Sequence, residues 1–109
     1  MQEIKAIIRT DRLQDVVDAL HALPNMPGVT VSTVRGFGRR MSGTGAGAFD
    51  ETDFTKLEAV VDDDTVRSVI DTIVQHARTG GPDDGRIFVM PVLQAIRIRE
   101  YVAQRDDLA

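Results

Sequence analysis

The residues in this chain best suited to chemistry are arginines, and they stand beside glycine. Arg35, Arg39 and Arg40 flank the stretch "GFG" at 36–38, Arg86 follows "GGPDDG" at 80–85, and Arg97 and Arg99 alternate with isoleucine in "AIRIRE". A guanidinium donates two parallel hydrogen bonds to phosphate or carboxylate oxygens. Glycine-rich turns let backbone amides come close to the same anion. On an extended chain Arg97 and Arg99 project to one side, because side chains alternate with a period of two. The plainer reading of "RIR" is a solvated strand edge, where positive charge discourages pairing with other chains.

Other chemistries find less support. His21 and His76 each lie in a helical stretch without a second histidine at ligand spacing, so surface or helix-end roles fit them better than metal binding. Asp62, Asp63 and Asp64 stand where a helix begins, and aspartates there are favoured by free first-turn amides and the helix dipole. Capping is therefore expected of them. Ser32, Ser42 and Ser68 sit in no nucleophile motif. No paired carboxylates or triad spacing nominate an enzyme.

The elements that position these arginines emerge from apolar spacing. Residues 2–9, "QEIKAIIR", read as a strand, with Thr10 or Asp11 as the cap of the next helix. Leu13, Val16, Val17, Leu20 and Leu23 recur on one helical face, ended by Pro24, Pro27 and Gly28. The β-branched stretch at 29–37 is a strand, as is "LEAVV" at 57–61. Val66, Val69, Ile70, Ile73 and Val74 mark a second helix, and residues 87–92 a fourth strand.

The two halves repeat. Ile4, Ala6, Ile7 and Ile8 align with Leu57, Ala59, Val60 and Val61 at an offset of 53 (57 minus 4), and Leu13, Val16, Val17 and Leu20 with Val66, Val69, Ile70 and Ile73. A duplicated β-α-β unit predicts an α+β, ferredoxin-like βαββαβ fold, with two helices on one face of a four-stranded antiparallel sheet. Continuous apolar runs such as "AII", "AVV" and "IFVMPV" suit strands covered on both faces. Two helices cover one face only, so a second copy of the chain is expected on the other.

Bulk properties bound the rest. A chain of 109 residues with 42% hydrophobic and 28% charged content is expected to form a single domain over 1–109. Its formal charge of −4 argues against nucleic acid, which selects a basic surface. Without cysteine there are no disulfides or thiolate sites. No apolar run reaches the roughly 18 residues of a membrane span, and "MQEIKAII" lacks a signal-peptide layout. A cytoplasmic protein with no direct membrane insertion is the expectation. Between the halves, residues 38–54 hold four glycines and almost no periodicity. A loop this long in a compact domain is usually functional or disordered.

Taken together, "IKAIIR", "VTVSTVRGFGR", "TGGPDDGRIF" and "AIRIR" resemble, in order and spacing, the PII signal-transduction family, over nearly the whole chain outside the long loop. The resemblance implies a homotrimer of ferredoxin-like subunits that binds ATP or ADP in clefts between neighbours and reports to partners through a T-loop, here 38–54. It places Gly36, Phe37, Gly38 and Arg39 along the cleft, Thr30 and Glu58 near the adenine, and Ile7 and Val60 as apolar walls. Asp84, Gly85 and Arg86 fall on the "DGK" of the B-loop (79–86), with Arg86 as phosphate ligand. Arg97 and Arg99, in the C-terminal segment (97–109), would reach the phosphates from the adjacent subunit.

The departures carry their own implications. Arg40 replaces the usual Gln, and a positive charge does not coordinate Mg²⁺, which argues against 2-oxoglutarate sensing by the usual route. The T-loop is short, and the only tyrosine is the distant Tyr101. Asp83 replaces a glycine beside the phosphates, and Glu100, Tyr101 and Val102 replace "TGE". These features suggest a divergent member rather than a general nitrogen regulator. Short-loop relatives often accompany membrane transporters, the expected partner class. The alternative is a metal-responsive module of the same fold linked to metal efflux, using His76 or Asp50, Glu51 and Asp53.

Overall fold

A computed structural model describes residues 1–39 and 49–103 of the chain. The strands are β1 (Gln2–Arg9), β2 (Thr30–Arg39), β3 (Phe49–Val61) and β4 (Arg86–Pro91), and the helices are α1 (Leu13–His21) and α2 (Val66–Ala77). They form one antiparallel sheet in the order β2-β3-β1-β4. With both helices on one face, this is the ferredoxin-like arrangement expected from the repeat.

Period-two alternation sorts the strands into two faces. Ile4, Ala6 and Ile8 of β1 and Leu57, Ala59 and Val61 of β3 are buried under the helices, against Val16 and Leu20 of α1 and Val69, Ile73 and Ala77 of α2. The repeat is thus visible as packing: Ile4 and Leu57, Ala6 and Ala59, Val16 and Val69, and Leu20 and Ile73 occupy matching core positions. Arg12 joins the two helices by donating from Nε to the carbonyl of His76 at 2.9 Å. That bond satisfies one of the free carbonyls at the end of α2.

The opposite face is mixed rather than uniformly apolar. It carries Ile7, Val60, Phe88 and Met90, with Val60 and Phe88 exposed, but also Glu3, Lys5, Lys56 and Glu58. The unbroken apolar runs therefore overstate this face, because in each run only alternate residues point toward it.

Two expectations from sequence need correction. Residues 38–39 and 49–54 belong to strands, so β2 and β3 form a ribbon running past the end of β1, whose last residue Arg9 pairs with Phe54. Beyond that point the ribbon has no third strand to pack on, which is why its residues show no apolar period. The rest of the predicted loop, 40–48, lies outside the described residues, as does 104–109.

The helix starts also differ. Neither Thr10 nor Asp11 caps α1, and none of Asp62, Asp63 and Asp64 makes a side-chain cap bond to the turn leading into α2. Short 3-10 turns enter both helices instead. Asp11 is held by Arg9 (3.0 and 2.7 Å) and Asp63 by the α-amino group of Met1 and by Gln2. Charged donors outcompete the neutral first-turn amides for these carboxylates.

Truncating the centre of the repeat core should be expensive. Leu57→Ala is expected to cost about 2–5 kcal/mol, the range for a large aliphatic removed from a closed core, measured by urea unfolding at fixed protein concentration. The exposed Val60→Ala, on the other face of the same strand, should cost much less in a dilute sample.

Candidate functional site

The site begins where β1 ends. Ile7 pairs with Arg86, the first residue of β4, so both side chains stand on the open face of the sheet. The loop before Arg86 is closed by one carboxylate. Oδ2 of Asp84 accepts from the amides of Thr79 (2.9 Å) and Gly80 (2.8 Å), and its Oδ1 accepts from the Thr79 hydroxyl at 2.5 Å. These hydrogen bonds, the Thr79 hydroxyl first, hold the Asp84 carboxyl below the usual carboxylate range.

Gly85 is fixed by two independent constraints. Its φ is +97°, a region that side chains rarely adopt, and a Cβ added there would lie 1.8 Å from the carbonyl oxygen of Ile7. The loop backbone therefore presses directly on β1. Gly80 also has a positive φ, +90°, but open space around its Cβ position.

The "GFGR" stretch reaches the same end of the sheet from the other side. Gly36 pairs with Thr52, two residues past the level of Arg9, and Phe37, Gly38 and Arg39 continue β2 beyond it. Between the two glycine-rich segments stands Arg9, bound in bidentate fashion to Asp11.

A second group lies diagonally across the face. Thr30 pairs with Glu58, and with Val60, Gly28 and Glu3 they line a shallow depression of about 240 Å³. Lys56 approaches Glu58 along β3 at 3.8 Å. From Glu58 to Arg86 the path crosses two strand spacings and two residues, roughly 10 Å by 7 Å.

The C-terminal segment leaves from that second end. The amide of Val92 donates to the carbonyl of Met1, and residues 93–103 are all exposed. The expected extended run of Arg97 and Arg99 is not observed, since Ile98–Glu100 is a 3-10 turn. With no partner strand to supply ladder bonds, a local turn forms. It closes with the Glu100 amide on the Arg97 carbonyl (3.1 Å) and Arg97 paired with Glu100 at 3.6 Å.

Known proteins resemble this chain in sequence and in fold. Residues 1–101 match the family model described as nitrogen regulatory protein P-II. The chain belongs to the P-II family. Nitrogen regulatory protein P-II 1 of Escherichia coli (strain K12) is 44% identical over 114 positions, covering all of this chain and 99% of that protein. The P-II homolog of Arabidopsis thaliana is 47% identical over 103 residues, 89% of this chain; the chain spans about half the length of that relative, 52%. The crystal structure of Arabidopsis thaliana PII bound to citrate superposes with a TM-score of 0.76 at 42% identity, covering 96% of this chain and 89% of that one.

Within this P-II fold the sequence-predicted residues divide. Ile7, Asp84, Gly85 and Arg86 gather at the end of β1, with the backbone of residues 36–39 at the same end of the sheet. Thr30, Glu58 and Val60 form the second group. Arg97 and Arg99 depart beyond the far end of β4, so the three arginines do not converge within one chain. Asp84 clasps the loop, and Asp83 beside it is exposed. Sequence reading missed Thr79, Gly28 and Arg9; the Thr-Gly dipeptide five residues before Asp84 was the available signal for the clasp. Among the described residues no group of three or more His, Cys, Asp or Glu could hold a metal ion. The side chains of Asp50 and Glu51 lie outside the description.

Two measurements check the loop. Gly85→Ala should cost at least about 2 kcal/mol in urea unfolding, from a strained φ and a backbone overlap together, whereas Gly80→Ala should cost about 1 kcal/mol from strain alone. Because the Asp84 carboxyl is depressed, its clasp is fully present above the ordinary aspartate range and is lost as pH falls through the lowered value. The NMR amide shifts of Thr79 and Gly80 should show one acid step, below the ordinary aspartate range, that Asp84→Asn removes.

Proposed function

We propose that this P-II protein is a nucleotide-sensing regulator in which ATP or ADP binds between two copies of the chain. The observation that carries the reading is the division of the expected ligands into two groups. One copy offers Ile7, Gly85, Arg86 and the backbone of residues 36–39; its neighbour offers Thr30, Glu58 and Val60, with Arg97 and Arg99 swung out on an exposed arm. Neither group encloses a ligand by itself, and a head-to-tail contact repeated around a ring joins one to the other. The mixed open face, with exposed Val60 and Phe88, supports burial against neighbours in a homotrimer.

The phosphates would meet Arg86 and the two arm arginines. The carboxylate nearest to Arg86 in sequence, Asp84, already accepts three hydrogen bonds, which reduces its repulsion of an anion. The citrate carried by the Arabidopsis relative accords with anion binding in this family. Mg²⁺ has no part in this reading, since Arg40 stands where the resemblance expects Gln.

Nucleotide occupancy would be passed through residues 38–54 to a partner protein, of which a membrane transporter is the favoured class. The β2 and β3 ribbon gives this segment a paired base adjoining the Arg86 end of the face. Among the described residues no helix is long and apolar enough to cross a membrane.

Calorimetry on the oligomer tests this directly. Wild-type chain should bind ADP or ATP with Kd below about 1 mM, and both Arg86→Ala and the Arg97→Ala, Arg99→Ala double variant should abolish measurable binding. Equal co-assembly of the two defective chains should restore about a quarter of the sites, because a shared cleft needs an intact half from each of two neighbours. Absence of binding at 1 mM sinks the nucleotide reading, and binding without any restoration sinks the shared cleft.

A further inference from the structure

On the helix side of the sheet, behind the loop that carries Gly85, α2 does not close over the beginning of β4. A depression of about 330 Å³ opens there, floored by Ile8 and Ile73, walled by Ile70, Val74 and Ile87, and bounded by Arg78 and the loop residues Asp84, Gly85 and Arg86. This volume sits at the small end of ligand cavities, which start at roughly 300 Å³. Arg86 contributes by position in the wall, since its side chain alternates to the other face with Ile7.

The charges at the mouth are unbalanced. Asp84 is turned into its own loop, accepting from Thr79 and Gly80. Arg78, the residue that ends α2, is exposed, and its guanidinium has no hydrogen-bond or ion-pair partner among the described residues. An aliphatic cup with a single uncompensated cation at its lip selects an aliphatic body bearing one negative charge. Ile70, Val74 and Ile87, with Ala77 of α2, give the cup aliphatic walls, so its interior mainly rewards buried hydrocarbon. The charge must then stay at the rim, where Arg78 can pair it.

We propose that this depression is a binding site for short, branched aliphatic monocarboxylates on the helix side of the sheet, sharing with the proposed nucleotide site only the loop residues Asp84, Gly85 and Arg86. The hydrocarbon occupies the space between Ile70, Val74 and Ile87, and the carboxylate pairs with Arg78. Such a ligand also braces the loop from behind, because one wall of the cup is the stretch of backbone that Gly85 presses onto Ile7. Occupancy should therefore slow opening of the Asp84 clasp without any nucleotide present.

The probe is 4-methylpentanoate, titrated into methyl-labelled full-length protein free of nucleotide. Saturable shifts are expected at the methyls of Ile70, Ile73 and Ile87, with slower hydrogen exchange at the amides of Thr79 and Gly80. Arg78→Glu, an exposed change expected to lower the melting temperature only slightly because a carboxylate at the end of α2 opposes the helix dipole, should weaken binding roughly ten-fold by reversing the charge at the lip. The neutral 4-methylpentan-1-ol should bind more weakly than the carboxylate by a similar factor. No saturation up to about 20 mM, a binding free energy too small for a built site, overturns the proposal. So does equal affinity for the alcohol, or an Arg78→Glu variant that binds as well as wild type.

Discussion

The contact of Gly85 with the carbonyl of Ile7 governs the end of the sheet that carries the candidate site. It brings the loop backbone within a distance that no side chain tolerates, and it does so at the end of the strand that all other elements use as reference. β1 pairs with β3 on one side and β4 on the other, and buries Ile4, Ala6 and Ile8 beneath both helices. Pinning the loop to β1 fixes where β4 starts, which face Arg86 takes and how the Asp84 clasp is oriented. The end of the sheet that carries the candidate site is thus an outgrowth of the core rather than an addition to it.

The duplicated unit explains why such a short chain carries a two-sided surface. Each half contributes one helix and the strands beneath it, and matching residues at an offset of 53 fill matching core positions. Past their helices the halves diverge: the first leads into a long ribbon, the second into a six-residue strand and an exposed arm. That asymmetry sends the ribbon and the arm to opposite ends of the sheet. In the proposed reading these two ends are the complementary halves of one cleft, joined by a ring of copies.

Much of this was legible in the sequence. The helices, the core and the fold class follow from apolar spacing and the repeat, and Gly85 and Arg86 stood out by type and order. What escaped was set by partners that spacing does not reveal. The ribbon was hidden because strands without a packed face need no apolar period. Asp11 and Asp63 looked like caps, yet charged donors at Arg9 and Met1 claim them. Arg97 and Arg99 looked extended because isoleucine and arginine alternate, but alternation makes a strand only where a neighbouring strand supplies hydrogen bonds. Thr79 drew no notice, since its importance lies in two donors reaching a carboxylate five residues later.

The ribbon changes how a signal would move through this molecule. A segment carried on paired strands behaves as a shaft, transmitting twist and register from its base to its tip. Because strand side chains alternate, a slip of one residue along the shaft would exchange every outward group for an inward one. The base of the shaft is where Gly36 faces Thr52, beside the end of β1. The pairing set at that base therefore decides which face each later residue of the ribbon presents.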